Sequence, residues 1–161
     1  MPNFPTTIIS GGQTGADRAG LDFALEHGIR IKGYCPLGRL AFDGPLHRRY
    51  KLIETATAEY PERTRLNATI ADATVIFDAV EPLSRGTGTA LVAIRRHRKP
   101  HVILKNFPDV AADTEALCEF LRLQCPRSLN VAGNSEQRTP GIYAHVRAVL
   151  ERACERMSLE P

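Results

Sequence analysis

The sequence predicts an α/β protein in which a mostly parallel sheet carries helices on both faces, forming a three-layer sandwich. Short apolar runs typical of buried strands alternate along the chain with longer stretches of helical character. Two of these runs lead into glycine-rich segments. The runs are apolar almost throughout rather than at every second position, which is typical of parallel strands covered on both faces.

The first half of the chain contains two predicted strands and one clear helix. Thr6–Ser10 is a β-branched run that ends in a glycine-rich turn at residues 11–15. A helix is predicted over Ala16–His27 and a second strand over Ile29–Tyr34. The segment 36–50 shows no strong periodicity, and a connection of that length is more often functional than not.

The second half repeats the alternation. A helix is expected within Glu62–Asp72, and the next five residues are the clearest buried strand in the chain. A second glycine-rich turn, residues 84–89, is predicted to precede a helix over Ala90–Arg98. The remaining elements are a strand at His101–Leu104, a helix at Asp113–Leu123, a strand at Ser128–Val131, and a helix at Pro140–Cys154 with proline in its first turn.

Length and charge exclude several classes of protein. The 161 residues predict one domain, residues 1–161, and the net charge of +3 comes from 21 basic and 18 acidic side chains. Charges interrupt every hydrophobic stretch before it reaches membrane-spanning length, so no membrane segment is expected. The basic residues are scattered, which argues against nucleic-acid binding and favours a small anionic ligand. The four cysteines form no C-x-x-C pair, so free thiols and a cytoplasmic location are predicted.

The first glycine-rich turn is the leading candidate site. Its glycines allow close approach of a ligand to the backbone, and the following helix N-terminus attracts anions. A plain tight turn is the alternative, and Asp17 could equally serve only the helix dipole. A carboxylate introduced at Gly12 is expected to abolish binding without disturbing the fold. The candidate ligand-binding residues here are Gly11, Gly12, Gln13, Thr14, Gly15 and Asp17.

Two further segments at predicted strand ends offer similar chemistry. In residues 86–89 small residues and hydroxyl donors precede a helix, although Thr87 or Thr89 could instead only cap it. In residues 132–136 an ordinary turn is about as plausible as a ligand contact. The candidate ligand-binding residues of these segments are Gly86, Thr87, Gly88, Thr89, Asn134 and Ser135.

The common nucleotide-binding motifs do not fit. A Walker A loop ends in Gly-Lys-Ser/Thr, whereas this loop continues Gly15-Ala16-Asp17, so ATP hydrolysis is not expected. The dinucleotide fingerprint requires Gly-x-Gly-x-x-Gly and an acid after the second strand. Here the order is Gly-Gly-x-x-Gly and residues 32–35 contain no acid, which argues against an ordinary NAD enzyme.

Over most of its length the chain resembles the molybdenum cofactor carrier protein family, a member of the larger group of Rossmann-like LOG (lysine-decarboxylase-like) domains. The blocks that carry the resemblance are Ile8-Ile9-Ser10-Gly11-Gly12-Gln13-Thr14-Gly15-Ala16-Asp17, Gly33-Tyr34-Cys35-Pro36-Leu37-Gly38-Arg39, Asp43-Gly44, Tyr60 with Arg63-Thr64 and Asn67, and Leu129-Asn130-Val131-Ala132-Gly133. Together they are more specific than any single glycine loop.

The resemblance implies a homo-oligomer, a tetramer, that binds molybdenum cofactor without converting it and delivers it to a molybdoenzyme. This ligand has a phosphate, a flat hydrogen-bonding pterin and an anionic molybdenum–oxo end. Arg39 and Arg63 are candidate partners for its oxyanions, because a guanidinium binds oxyanions bidentately. Each arginine could equally form an intramolecular or surface ion pair.

The chain also departs from its apparent relatives. Phe42 stands where they commonly carry an acid, and Arg85-Gly86 replaces a Gly-Gly pair. Related phosphoribohydrolases use Pro-Gly-Gly-x-Gly-Thr-x-x-Glu, and Val92 occupies the position of that glutamate. Since valine is neither acid nor base, a non-enzymatic role is expected. The alternative is a sensor or hydrolase for a nucleotide or ADP-ribose-like ligand, with a base among Asp17, Asp43, Asp78 and Glu136.

Overall fold

The computed structural model describes residues 4–159 and contains a parallel five-stranded sheet. The strands of this sheet are β1 (Thr7–Ile9), β2 (Arg30–Lys32), β5 (Ala73–Phe77), β6 (His101–Leu104) and β7 (Ser128–Gly133). They lie in the order β2-β1-β7-β5-β6, and every pairing is parallel. The two short strands β3 (Tyr34–Cys35) and β4 (Ile53–Glu54) form a separate parallel pair. The predicted α/β fold with a parallel sheet is confirmed.

Five helices cover the two faces of the sheet. They are α1 (Ala16–Glu26), α2 (Tyr60–Ile70), α3 (Arg85–Arg96), α4 (Val110–Gln124) and α5 (Ile142–Ser158). On one face α1, α4 and α5 pack against a core that includes Val75 and Phe77. On the other face α2 and α3 pack against Ile76. The alternation of side chains along β5 thus supplies both cores.

The predicted strand Ile29–Tyr34 is wrong as one element, because it divides at Gly33. The backbone at Gly33 has a φ of 133°, and a Cβ there would overlap the carbonyl oxygen of Ser10. Beyond it, Tyr34 leaves the main sheet, since its N–H donates to Oδ1 of Asn67 at 2.8 Å and its carbonyl accepts from Nδ2 at 3.0 Å. An asparagine side chain therefore takes the place of a neighbouring strand.

The prediction of a loop at residues 84–89 is also wrong. Helix α3 begins at Arg85, so Gly86, Thr87, Gly88 and Thr89 lie in its first turns. The cap is Ser84, whose hydroxyl accepts from the Thr87 N–H at 3.3 Å, and neither threonine serves as the cap. The serine cap stabilises a helix that includes two glycines, although the helix propensity of these glycines alone predicts a turn.

Helix α5 also starts later than predicted. It begins at Ile142 after Gly141, whose φ is 91°, so Pro140 precedes the helix rather than occupying its first turn. The two carboxylate oxygens of Glu136 accept from the N–H groups of Gly141 and Tyr143, at 2.6 and 3.0 Å. The carboxylate thus satisfies donors at the helix N-terminus.

The strand order places a crevice at the carboxyl edge of the sheet. The chain proceeds from β1 to one edge of the sheet and from β5 to the other, while β7 lies between them. Ligands of open α/β sheets bind at such a reversal of strand order. Helices α1 and α3 begin there on opposite faces. None of the helices found between residues 4 and 159 is long and apolar enough to cross a membrane.

Candidate functional site

A cleft of about 680 Å³ opens at the carboxyl edge of the sheet. Five segments contribute its walls: the glycine loop, the loop that carries Phe42, the start of α2, the start of α3, and the loop between β7 and α5. The volume lies within the usual range for small-molecule sites. The residues that line it are Gln13, Phe42, Glu59, Tyr60, Pro61, Arg63, Thr64, Ser84, Arg85, Gly86, Thr89, Gly133, Asn134, Ser135, Gln137 and Arg138.

The charge of the cleft is predominantly positive. Arg63, Arg85 and Arg138 line it, against the single carboxylate of Glu59. Arg85 also stands at the N-terminus of α3, where the backbone N–H groups carry partial positive charge. Within residues 4–159 no group accepts a hydrogen bond from the N–H of Arg85 or Gly86. The charged side chains of the cleft are therefore suited to a ligand that carries negative charge.

An aromatic pair stands on one side of the cleft. The rings of Phe42 and Tyr60 meet edge to face, with centroids 5.8 Å apart. Phe42 is 56% exposed although it is a large apolar side chain. Its position is fixed by the backbone, because the Phe42 N–H donates to Oε1 of Gln13 at 2.9 Å. A flat ring can stack against this exposed aromatic surface.

Beneath the cleft lies a smaller cavity of about 50 Å³, which we call the inner chamber. It sits between the strand ends and helices α2 and α3. Four residues line both spaces and form the neck between them: Arg63, Thr64, Gly86 and Gly133. The remaining lining of the chamber is Gly11, Asp17, Asn67, Ile76, Thr87, Ala90, Asn130 and Ala132.

A buried ion pair forms one wall of the inner chamber. Nη1 of Arg63 contacts Oδ2 of Asp17, and the two side chains are 12% and 6% exposed. The guanidinium lies over Gly11, where a Cβ would coincide with it. The group that Gly11 allows to approach the backbone in this structure is Arg63 of the same chain, whereas the sequence predicts a ligand there.

The glycine loop and the start of α1 together offer fewer free donors than the sequence predicts. In the loop the N–H of Thr14 donates to Oε1 of Gln13. At the start of α1 the N–H of Ala16 donates to the carbonyl of Asn134, and that of Arg18 donates to the carbonyl of Gln13. A backbone N–H that already donates to the protein is not available to donate to a phosphate. The cations of the cleft and the start of α3 are better placed for this role.

Gly12 does not face the cleft. Its φ is 80°, and a Cβ there would stand 2.6 Å from Cδ2 of Leu46 and 3.4 Å from Cδ1 of Leu52. The expectation that a carboxylate at Gly12 leaves the fold intact is therefore wrong, since it would enter an apolar cluster with a strained backbone.

Arg39 is a scaffold for the loop that carries Phe42. Its guanidinium donates to four backbone carbonyls, and its own backbone has a φ of 58°. With its donors committed to the protein, the group is directed away from the cleft, so the prediction of Arg39 as an oxyanion partner is not supported by the geometry. The acceptors are the carbonyls of Leu46 (3.0 Å), Tyr50 (2.8 Å), His47 (3.2 Å) and Leu52 (3.4 Å).

Asp78 joins the start of α3 to the loop that follows β7. It is fully buried and accepts from the hydroxyl of Thr87, from the N–H of Ser84 at 2.9 Å, and from Nδ2 of Asn134 at 2.9 Å. Burial raises the pKa of Asp78, but the bonds from Thr87, Asn134 and Ser84 outweigh burial and hold the pKa below its ordinary value. Thr87 and Asn134 are thereby positioned, with their polar groups directed to Asp78.

The other predicted residues fall into three places. Thr14 and Gly15 line a second cavity of about 480 Å³ on the far side of the glycine loop, where Thr14 donates to Oε1 of Gln137 at 2.5 Å. Thr89 lines the cleft, but its hydroxyl donates back to the Arg85 carbonyl at 3.1 Å. Gly88 lies on α3 and lines neither the cleft, the inner chamber nor the second cavity.

Sequence reasoning missed several residues of the cleft. In the sequence Arg85 and Phe42 stand out only as departures from the apparent relatives, and Tyr60 stands out only as one of the residues that carry the resemblance. Arg138 and Gln137 carried no signal, because nothing in a short polar loop shows which side chains face a cavity. An arginine directly after a serine cap was the one clue that a cation stands at a helix start.

The four carboxylates considered as bases are all engaged. Asp17 pairs with Arg63, and Asp78 is saturated as described. Asp43 binds Arg18 through both oxygens at 3.0 Å, and that bond lowers the pKa of Asp43. Glu136 caps α5. Among residues 4–159, no group of three or more metal-ligating side chains is close enough to hold a metal ion.

Comparison with known proteins shows the family to which the chain belongs. The model of the circularly permutated YpsA SLOG family matches residues 8–154. A crystal structure described as "Putative molybdenum carrier protein" from Syntrophus aciditrophicus SB shares 33% sequence identity over 92% of this chain and 94% of that chain, with a TM-score of 0.87. No curated protein matches the chain. The resemblance seen in the sequence is confirmed, and the chain belongs to the circularly permutated YpsA SLOG family.

Proposed function

We propose that the protein binds molybdenum cofactor in the cleft and carries it without chemical conversion. The observation that supports this most is the combination of three arginines and an aromatic pair, of which Phe42 is exposed, around one space of about 680 Å³. Molybdopterin has a flat ring and a phosphate, so it needs both an apolar surface and cations. The similarity to a protein named as a molybdenum carrier supports the same assignment.

The chain's own residues divide the task of binding. Phe42 and Tyr60 provide a surface for the ring of the ligand. Arg85 and Arg138, both exposed, provide charge for the phosphate together with the N-terminus of α3. Arg63 extends from the cleft into the inner chamber, where its charge is balanced by Asp17.

A carrier is favoured over a hydrolase for the nucleotide-type ligand. Asp43, Asp78 and Glu136 are hydrogen-bonded within the protein and line neither the cleft nor the inner chamber, whereas a general base must reach its substrate. Asp17 does line the inner chamber, but it is paired with Arg63. Val92, at the position of the glutamate of related hydrolases, is 64% exposed and is absent from the lining of the cleft. As a carrier, the protein would assemble as a homo-oligomer, a tetramer, and deliver the cofactor to a molybdoenzyme.

Native mass spectrometry tests this proposal directly. Protein purified from cells that make molybdopterin should carry the mass of the cofactor, and protein from cells unable to make it should not. Arg85→Glu should reduce the loaded fraction at least 10-fold, because it reverses a charge in the cleft. Arg96→Glu is the matched control, since Arg96 stands exposed at the other end of α3. Retention of a nucleotide in place of the cofactor would overturn the proposal.

A further inference from the structure

The ion pair of the inner chamber has an unused acceptor on Asp17 and unused donors on Arg63, because Nη1 is the one nitrogen of Arg63 that donates to a group within residues 4–159. Oδ2 of Asp17 is used by Arg63, while Oδ1 receives no hydrogen bond from any group within residues 4–159. Nε of Arg63 is buried and likewise has no partner in this part of the chain. A buried N–H without a partner costs roughly 1–3 kcal/mol, and Arg63 lines the chamber, so a ligand acceptor there would pair with a side chain that the protein leaves partly unsatisfied.

We infer that the inner chamber recognises the lactam edge of a planar heterocycle, on which a ring N–H stands beside a carbonyl. Asp17 would accept from the ring N–H, and Arg63 would donate to the carbonyl. This inference rests on the proposed function, because it assumes that a flat ring occupies the cleft, and it identifies the part of the ligand that enters the chamber.

Charge favours such an edge over the phosphate. Asp17 and Arg63 neutralise each other, and an oxyanion entering the chamber would meet the carboxylate of Asp17 at close range. A lactam edge is neutral and presents a donor to the free acceptor and an acceptor to the free donor. The phosphate is then left for Arg85 and Arg138 in the outer cleft.

The other polar side chains that line the chamber already have hydrogen-bond partners in the protein. The amide of Asn67 is used on both sides by the backbone of Tyr34. The hydroxyl of Thr87 donates to Asp78, and that of Thr64 donates to the carbonyl of Tyr60 at 3.1 Å. Asn130 also lines the chamber, and its Nδ2 donates to Oγ1 of Thr74 at 3.4 Å. Asp17 and Arg63 are the charged members of the lining, so we assign the recognition of a ligand edge to this ion pair.

Size and shape determine how the ring would lie. A volume of about 50 Å³ accommodates a few water-sized groups, each needing about 10–15 Å³, so an edge fits and a whole ring does not. Gly86 and Gly133 contribute no side chain to the neck. The body of the ring would remain in the cleft beside Phe42 and Tyr60, with its lactam edge in the chamber.

Pterin and guanine both have a lactam edge, and 2,4-diaminopteridine has the inverted pattern of hydrogen bonding. Binding of pterin, guanosine monophosphate and 2,4-diaminopteridine should be measured by fluorescence and calorimetry at pH 8. The wild-type protein should bind pterin at least 10-fold more tightly than the diamino compound. The diamino compound places an amino group against the guanidinium of Arg63 and leaves Oδ1 of Asp17 without a donor. Equal affinity for the two pteridines would overturn the inference.

Asp17→Asn gives the decisive comparison. Since Arg63 requires an acceptor, the amide should turn its oxygen to Arg63 and its NH₂ to the chamber. The pterin preference should then fall at least 10-fold or reverse. Asp43→Asn is the matched control, because Asp43 is paired with an arginine but does not line the chamber. An unchanged preference in folded Asp17→Asn protein would refute the inference; if that variant does not fold, Arg63→Lys, which removes Nε, replaces it.

The outcomes separate this inference from the proposed function. If the protein is loaded with cofactor in cells but Asp17→Asn does not change its preference for pterin, the carrier role stands. The inference that Asp17 and Arg63 recognise the lactam edge is then refuted. Binding of guanosine monophosphate alone, sensitive to Asp17→Asn, would support the reading of a lactam edge and reject molybdopterin as the ligand. Binding of none of the three compounds would overturn the inference whatever the loading.

Discussion

The guanidinium of Arg63 occupies the space that a side chain on Gly11 would fill. A Cβ on Gly11 would coincide with Nη1 and stand 2.6 Å from Cζ and 2.7 Å from Cδ of Arg63. The glycine at the end of β1 therefore makes room for a cation from α2, which pairs with Asp17 at the start of α1. The ion pair joins two helices on opposite faces of the sheet.

Gly11→Ala should displace Arg63 from Asp17. Because the flexible arginine can move, the expected cost is the loss of a buried ion pair, about 3–5 kcal/mol of unfolding free energy. Urea denaturation of Gly11→Ala in the wild-type and Arg63→Ala backgrounds measures it. The alanine should cost much less once Arg63 is absent, and an equal cost in both backgrounds would contradict the assignment.

Gly86→Ala should stabilise the fold and weaken ligand binding. A Cβ at Gly86 meets no atom within 4 Å, and replacing glycine by alanine in a helix contributes about 0.5–1 kcal/mol. The new methyl group would narrow the neck of the inner chamber, so affinity should fall several-fold. Gly88→Ala is the matched control: its Cβ is equally unobstructed, but Gly88 does not line the cleft. Thermal melts and calorimetry check both, and weaker binding in both variants would argue against this neck.

Arg39→Lys should loosen the loop that carries Phe42. A lysine ammonium cannot replace a guanidinium that donates to four carbonyls, so a loss of about 1–3 kcal/mol is expected. Hydrogen exchange should show faster exchange of amides in residues 46–52. The exposed Arg48, changed to lysine, serves as the control in the same loop. Unaltered exchange in Arg39→Lys would show that the carbonyls do not depend on the guanidinium.

Asp78 should stabilise the fold at neutral pH and lose this effect in acid. The pKa of Asp78 is lowered in the folded protein relative to the ordinary value of 3.8. Its contribution is therefore fully present above about 3.8 and is lost as the pH falls through the lower folded value. Asp78→Asn should cost about 2–3 kcal/mol at pH 7, and less below the ordinary value. Urea denaturation from pH 7 to pH 2.5 measures the difference, which a pH-independent cost would contradict.

The sequence predicted the architecture better than the boundaries of its elements. The buried strand at residues 73–77 is as predicted, because an unbroken apolar run has few alternatives. The start of α3 was misplaced, since Gly86 and Gly88 favour a turn locally while Ser84 and Asp78 stabilise the helix through contacts. Local propensity is a weak term that such contacts override.

In the candidate site, too, the sequence identifies some residues correctly and misassigns others. Gly11, Asp17 and Arg63 were identified in the sequence, and the structure brings them together at one edge of the sheet. Arg39 was assigned to a ligand, whereas it binds backbone carbonyls of its own loop. A guanidinium matches oxyanions and carbonyls alike, so residue type alone cannot distinguish the two roles.

By itself the sequence determined the α/β class, the family, and a glycine-rich loop at the first strand end. These features depend on periodicity and on local blocks of residues. Only the tertiary structure decided that Arg63 and Asp17, 46 positions apart, form one buried pair, and that Arg85, Arg138, Phe42 and Tyr60 surround one cleft. The physical reason is that side-chain direction and burial arise from packing between distant elements, which no local pattern encodes.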